Sequence, residues 1–127
     1  AIADGIMEKD KNVTVKLFNI GKSDKNDVIT ELFKSKAMLI GCSTVNKSIM
    51  SGTAAVLGMI KGIGFKKKKA AAFGSYGWSG ESVPMIIEGL KEAKIEVMDE
   101  GLKLLWQPDC DALEKCKEYG RRFIDKL

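Results

Sequence analysis

The sequence predicts an α/β protein: a doubly wound parallel sheet with helices on both faces, in three layers α/β/α. Two short, continuous apolar runs, Ala37-Met38-Leu39-Ile40-Gly41 and Ala70-Ala71-Ala72-Phe73, have the composition of parallel strands covered on both sides. The first run ends in a small polar loop and the second in a glycine-rich loop with two aromatics, and each is followed by apolar residues at helical spacing. That order is what parallel crossover connections require, because parallel neighbours cannot be joined by a tight hairpin.

The elements follow in order along the chain. AIADGIMEKD opens in helix-like sequence, with Ile2 and Ile6 one turn apart. The chain begins at Ala1 with no strand and no cap before it, and the expectation is a chain cut from something longer. Residues 12–20, NVTVKLFNI, alternate Val13, Val15 and Leu17 against Thr14, Lys16 and Phe18 and read as a strand. Ser23 or Asp24 can cap a helix running to about Ser35, with Val28, Ile29, Leu32 and Phe33 as its buried face. The Ala37–Gly41 strand leads through 42–46 to a helix from about Ser48 to Lys61 carrying Met50, Ala54, Leu57 and Met59.

Lys66-Lys67-Lys68-Lys69 leads into the Ala70–Phe73 strand, and a helix starts near Glu81 with Pro84 in its first turn. Residues 95–106 read as a last strand with an insertion or bend near Asp99 to Gly101. Pro108 and Asp109 start a final helix, in which Asp111 and Glu114 have capping-box spacing.

The chain has 127 residues, enough for one domain, 1–127, with a core that needs no disulfide or metal. With 45% hydrophobic and 30% charged residues it has the composition of a folded globular protein. There is no histidine, which excludes Ser-His-Asp hydrolysis, Cys-His proteolysis and His-ligated metal sites together. Catalytic and metal-ligating residues are therefore expected to be none. The net charge is +4, and four positive charges form the single run 66–69. Such a run, entering a strand from its amino end, is expected to be a solvated turn away from any ligand. Nucleic-acid binding calls for a broader stripe with Arg or aromatic readers, and Arg121 and Arg122 are the only arginines. No apolar run approaches 18 residues, so no membrane span is expected. Cys42, Cys110 and Cys116 form no CxxC pair, which suggests a reducing, cytoplasmic setting.

In doubly wound sheets ligands bind where loops leave the carboxyl ends of the strands. Two loops stand out there. Loop 74–80 holds Gly74, Ser75, Tyr76, Gly77, Trp78, Ser79 and Gly80: glycines that let a backbone approach a flat ligand, and two aromatic faces for stacking. Loop 42–46 offers the hydroxyls of Ser43 and Thr44, Val45, and the amide of Asn46. The ends of the strands at Ile40 and Phe73 are expected side by side, so that each loop forms one wall of a single cleft. A response-regulator receiver would need an aspartate where this chain has Gly41-Cys42, and no G-x-G-x-x-G follows any strand.

The run Ala71-Ala72-Phe73-Gly74-Ser75-Tyr76-Gly77-Trp78-Ser79-Gly80-Glu81 resembles a segment of the flavodoxin-like domain of flavodiiron proteins, also called A-type flavoproteins. Gly41-Cys42-Ser43-Thr44-Val45-Asn46 resembles that family's Gly-Ser-Pro-Thr-x-Asn loop. Glu100-Gly101-Leu102-Lys103 and the stretch from Leu113-Glu114-Lys115-Cys116 to Gly120-Arg121-Arg122 are similar too, so the resemblance covers essentially the whole chain.

The resemblance implies a flavodoxin-like fold with non-covalent FMN, held here by Ser43, Thr44, Val45, Asn46, Ser75, Tyr76, Gly77, Trp78 and Ser79. Trp78 or Tyr76 would lie against the isoalloxazine ring, and Ser43, Thr44 and Asn46 would meet its polar rim. It implies electron transfer within an oxygen or nitric oxide reductase whose diiron centre sits in a separate metallo-β-lactamase-like domain. It also implies a rubredoxin-type or coenzyme F420-type electron donor, and a homo-oligomer in which the flavin of one subunit serves the diiron site of another.

Against that family, the first strand and the phosphate-binding loop are absent from the recorded chain. The expectation is that this form binds FMN weakly, and riboflavin about as well. Ser43 stands where the family carries proline, and a looser loop is expected. The alternative function is a non-catalytic flavodoxin-like module that dimerises or docks a partner and binds no flavin.

Overall fold

The structure is a computed structural model describing residues 1–127. The helices are α1 (Ile2–Lys9), α2 (Lys25–Lys34), α3 (Ser51–Ile63), α4 (Ser82–Glu92) and α5 (Cys110–Asp125). The strands are β1 (Ala37–Gly41), β2 (Lys69–Tyr76), β3 (Glu96–Val97) and β4 (Leu102–Leu105). All pairings are parallel: β1 lies on one side of β2, and β3 and β4 lie on the other. β3 and β4 are two halves of one edge, interrupted at 98–101 where the sequence placed its bend. Trp106 N and Met98 N carry that edge on by donating to Tyr76 O and Ala70 O.

The alternation of side chains across the pleat builds two cores from one sheet. Met38, Ile40, Ala70 and Ala72 pack with Ile29 of α2, Val56, Leu57 and Ile60 of α3, and Val83, Ile86 and Leu90 of α4. Ala71, with Ala37 and Leu39 beside it, faces the other way, onto Ile6 of α1 and Tyr119 and Phe123 of α5. Ala70, Ala71 and Ala72 are fully buried, and their small side chains let helices close onto both faces of the central strand. α1 and α5 cross at Gly5 and Gly120, where a Cβ on either residue would run into the other helix's backbone, at Lys117 O and Ile2 O respectively. Glu8 locks the same crossing from outside through Lys117 (3.1 Å) and Arg121 (2.7 Å).

Five local expectations are corrected. Residues 12–20 are not a strand: Val13 and Val15 pack partly against the α1–α5 core, but Leu17 is 80% exposed. No strand of this chain runs beside that segment to take its alternate N–H and C=O groups, and without a ladder the alternation cannot be realised as sheet. The segment is held instead by Lys16 to Glu31 of α2, 2.5 Å. The lysine run is only half solvated. Lys66 and Lys67 are exposed, but Lys68 is buried, its ammonium donating to Phe33 O and Ser35 O at the end of α2, where unpaired carbonyls favour a cation.

The buried face of α3 is Thr53, Val56, Leu57 and Ile60; Met50 lies before the helix and Ala54 faces solvent. Phe33 is 60% exposed and rests edge-on against Phe65. At the caps, Asp24 accepts from Asn26 N (2.7 Å), as its position suggested. α5 is capped by Asp109, accepting from Ala112 N (2.8 Å), and not by the Asp111–Glu114 pair, which lies inside the helix.

Candidate functional site

β1 and β2 run in register from Ala37 opposite Lys69 to Gly41 opposite Phe73. Their carboxyl ends are therefore neighbours, and loops 42–46 and 74–80 form one cleft, as expected. The ladder continues past the strand: Cys42 N donates to Phe73 O (3.1 Å) and Thr44 N to Ser75 O (2.9 Å).

Side chains then tie the two loops together. Ser43 Oγ lies 2.9 Å from Ser75 Oγ. Thr44 Oγ1 donates to Ser82 Oγ (2.9 Å), Ser82 Oγ donates to Cys42 O (2.9 Å), and Ser82 N donates back to Thr44 Oγ1 (3.2 Å). Ser82, at the start of α4, is 1% exposed and so fixes the base of loop 42–46 from within the protein. Cys42 Sγ accepts from Met50 N (3.3 Å), a cap for α3 where Met50 has no capping side chain. The loop expected to be loosened by Ser43 is thus fastened at three points. It turns back at Asn46 and Lys47, both with positive φ (50° and 57°), between the paired Val45 and Ser48. Two successive left-handed residues make a tight reversal, and asparagine tolerates that conformation well.

Two adjoining cavities open above this framework. The first, about 290 Å³, is walled by Ser43, Thr44, Ser75, Tyr76, Gly77, Trp106, Gln107 and Pro108. The second, about 440 Å³, is walled by Thr44, Asn46, Lys47, Gly77, Trp78 and Ser79. Thr44 and Gly77 belong to both. Of the nine residues proposed from the sequence, all but Val45 line this cleft; Val45 spends its backbone on the reversal. Lys47 and the third wall, Trp106-Gln107-Pro108, were missed. The signal for the latter was an aromatic and a proline at the carboxyl end of the last strand, beside the other two loops.

Trp78 is 95% exposed, so it is not folded back on the core. Its face, the hydroxyls of Ser43, Thr44, Ser75 and Ser79 and the Asn46 amide offer one stacking surface with donors and acceptors around it. Glu81 Oε2, two residues beyond Ser79, is the one buried side-chain oxygen without a hydrogen-bond partner. The lysine run lines neither cavity. No helix is long and apolar enough to cross a membrane.

The family model described as Flavodoxin matches residues 1–120. The anaerobic nitric oxide reductase flavorubredoxin of Escherichia coli (strain SMS-3-5 / SECEC) is 48% identical over 121 residues, 95% of this chain and 25% of that protein. The chain thus spans about a quarter of the length of that relative. The flavodiiron protein from Giardia intestinalis has a TM-score of 0.91 at 27% identity, covering 98% of this chain and 31% of that one. A flavodoxin from the domain Archaea has a TM-score of 0.85 at 31% identity, covering 98% of this chain and 84% of its own. These likenesses bear out the fold and the resemblance read from the Phe73–Glu81 run. Matched by the family model along nearly its whole length, and covering most of a flavodoxin, this chain belongs to the flavodoxin family.

Proposed function

We propose that this chain is an FMN-dependent electron-transfer domain, the flavodoxin-like part of a flavodiiron oxygen or nitric oxide reductase. The observation that carries the reading is the cleft: two loops held side by side, an indole 95% exposed at its mouth, and hydroxyls and an amide around it. An aromatic ring left in water at a polar-rimmed cleft suits a flat heterocycle. Gly77 adds no side chain between the two cavities, and their hydroxyls, amides and aromatic faces, with Lys47 the one charged side chain, fit a flat ring with a polar edge.

Ser43, Thr44, Asn46, Ser75 and Ser79 would hold the polar edge of the ring. Trp78 would cover a face, with Tyr76 and Gly77 closing the other wall. Bound FMN supplies a carrier that takes up two electrons and releases them singly. The chain's own part is to exclude water from the ring, orient it and hold the loops in one geometry.

In this reading residues 1–127 are one domain of a cytoplasmic, homo-oligomeric enzyme. Its diiron metallo-β-lactamase-like domain lies outside this chain, and its electrons come from a rubredoxin-type or coenzyme F420-type donor. The likeness to the flavorubredoxin and to the flavodiiron protein supports this.

The test is a titration of FMN against the chain, following flavin fluorescence and the visible absorption band. Saturable quenching with a shifted band is expected. Binding is expected to be weak and similar for riboflavin; no spectral change with either flavin up to millimolar concentration would favour the flavin-free docking module instead.

A further inference from the structure

We propose that Trp106 is a positioning residue: its indole, in the wall of the first cavity, braces the Gly77 peptide and so sets the shape of the cleft that Thr44 and Trp78 face. The proposal rests on the flavin reading of that cleft. It begins with an oddity of placement. Trp106 has φ 54°, in the left-handed region where a bulky residue is strained. Its indole is 69% exposed, so burial of the ring in the core does not account for that conformation.

What the conformation achieves is contact with Gly77. A Cβ on Gly77 would lie 2.8 Å from two atoms of the indole and 3.1 Å from a third. The indole edge rests against the Gly77 peptide, and a side chain at this position would have to push the ring aside. The brace is itself anchored at both ends. Trp106 N donates to Tyr76 O (2.8 Å), one rung beyond the Tyr76–Leu105 pairing of β2 and β4. Three residues later Asp109 caps α5. Gly77 walls both cavities, Trp106 walls only the first and Trp78 only the second. Gly77 therefore joins the wall that Trp106 gives the first cavity to the wall that Trp78, the stacking residue of the flavin reading, gives the second.

The test has one arm without flavin and one with it. In the flavin-free chain, the Gly77 α-proton resonances should be displaced upfield by the indole. Trp106→Ala should return them to ordinary values, while Trp106→Phe should keep most of the displacement. In the flavin arm, Gly77→Ala should weaken FMN binding about tenfold in the parent chain and under about twofold in a Trp106→Ala background, since the clash is then gone. Trp106→Ala alone should weaken FMN binding severalfold, with Trp106→Phe restoring most of it. Unshifted Gly77 resonances, or an equal cost of Gly77→Ala in both backgrounds, would overturn the brace. If the parent chain takes up no FMN, the flavin reading falls, and the Gly77 resonances still uphold or overturn the contact.

Discussion

Ser43 Oγ and Ser75 Oγ stand 2.9 Å apart across the floor of the cleft, joining the loop after β1 to the loop after β2. Both hydroxyls remain accessible, so water can replace either one, and the bond contributes little to global stability. Its value lies in holding the two walls at a fixed separation before a ligand arrives, which lowers the ordering cost of binding. Ser43→Ala should therefore leave the unfolding free energy within about 0.5 kcal/mol of the parent. It should instead speed amide exchange at residues 43–48. A large loss of stability with unchanged exchange would contradict this division of roles.

Ser82 should behave in the opposite way. Its hydroxyl is 1% exposed, accepts from Thr44 Oγ1 and donates to Cys42 O. Ser82→Ala leaves Cys42 O without its donor in a place water cannot reach and removes the acceptor of the Thr44 hydroxyl, which keeps only the bond from Ser82 N. The expected cost is about 1–3 kcal/mol of unfolding free energy, read as a lower urea midpoint. A midpoint equal to the parent's would mean that Thr44 and Cys42 find other partners.

Tyr119 couples the fold to alkaline pH. Its OH donates to Asp99 Oδ1 (2.7 Å), the same oxygen that accepts from Gly101 N (2.9 Å). Burial, and then the bond to Asp99, push the phenol well above its ordinary value of 10.0. The fold thus favours the neutral phenol. Its contribution is complete below pH 10 and is lost as pH rises beyond that value. In urea melts from about pH 8 to about 11, Tyr119→Phe should be less stable than the parent at the lower end and should lose less stability toward the upper end. Parallel curves for the two proteins would rule out Tyr119 as the source.

Glu8 works at the acid end. Its carboxylate pairs with Arg121 and Lys117 of α5, and those hydrogen bonds hold it below its ordinary value of 4.5. A depressed carboxylate contributes above that value and loses its contribution as pH falls through it and below. Glu8→Gln should flatten the acid limb of the stability curve below pH 4.5 relative to the parent, with the α1–α5 crossing otherwise intact. An unchanged acid limb would show that the pair is fully screened by solvent.

How much of this was legible from the residues varied with the physics involved. β1 and β2 were legible because a strand buried on both faces must be apolar throughout, and each run is too short for a helix and is followed by a loop rich in small residues. The cleft was legible because both loops follow such strands. Residues 12–20 misled because alternation reports only one face of a strand, whereas a strand also needs a partner backbone, which composition does not encode. Lys68 misled because its neighbours in sequence are solvated, while its ammonium finds carbonyls of Phe33 and Ser35 more than thirty residues away. Trp106 was missed for a similar reason: its importance comes from touching Gly77, and that contact exists only after β4 pairs with β2.

Trp78 gives the most direct check on the flavin reading. In the flavin-free chain its indole is 95% exposed, so replacing it should leave unfolding unchanged to within about 0.5 kcal/mol. With flavin stacked on it, the indole contributes its buried area plus about 1 kcal/mol of specific ring–ring interaction. Trp78→Ala should therefore weaken FMN binding about tenfold or more, while Trp78→Phe, which keeps an aromatic face, loses less. The chain has only two tryptophans, so the assignment can be made optically. In a Trp106→Phe background Trp78 is the sole emitter, and a ring lying against it should quench nearly all its fluorescence as FMN is added. In a Trp78→Phe background the remaining Trp106 emission should fall less, because the Gly77 peptide lies against its ring. Stronger quenching of Trp106 than of Trp78 would place the flavin in the first cavity, beside Gln107 and Pro108, and would make Trp106 rather than Trp78 the stacking residue.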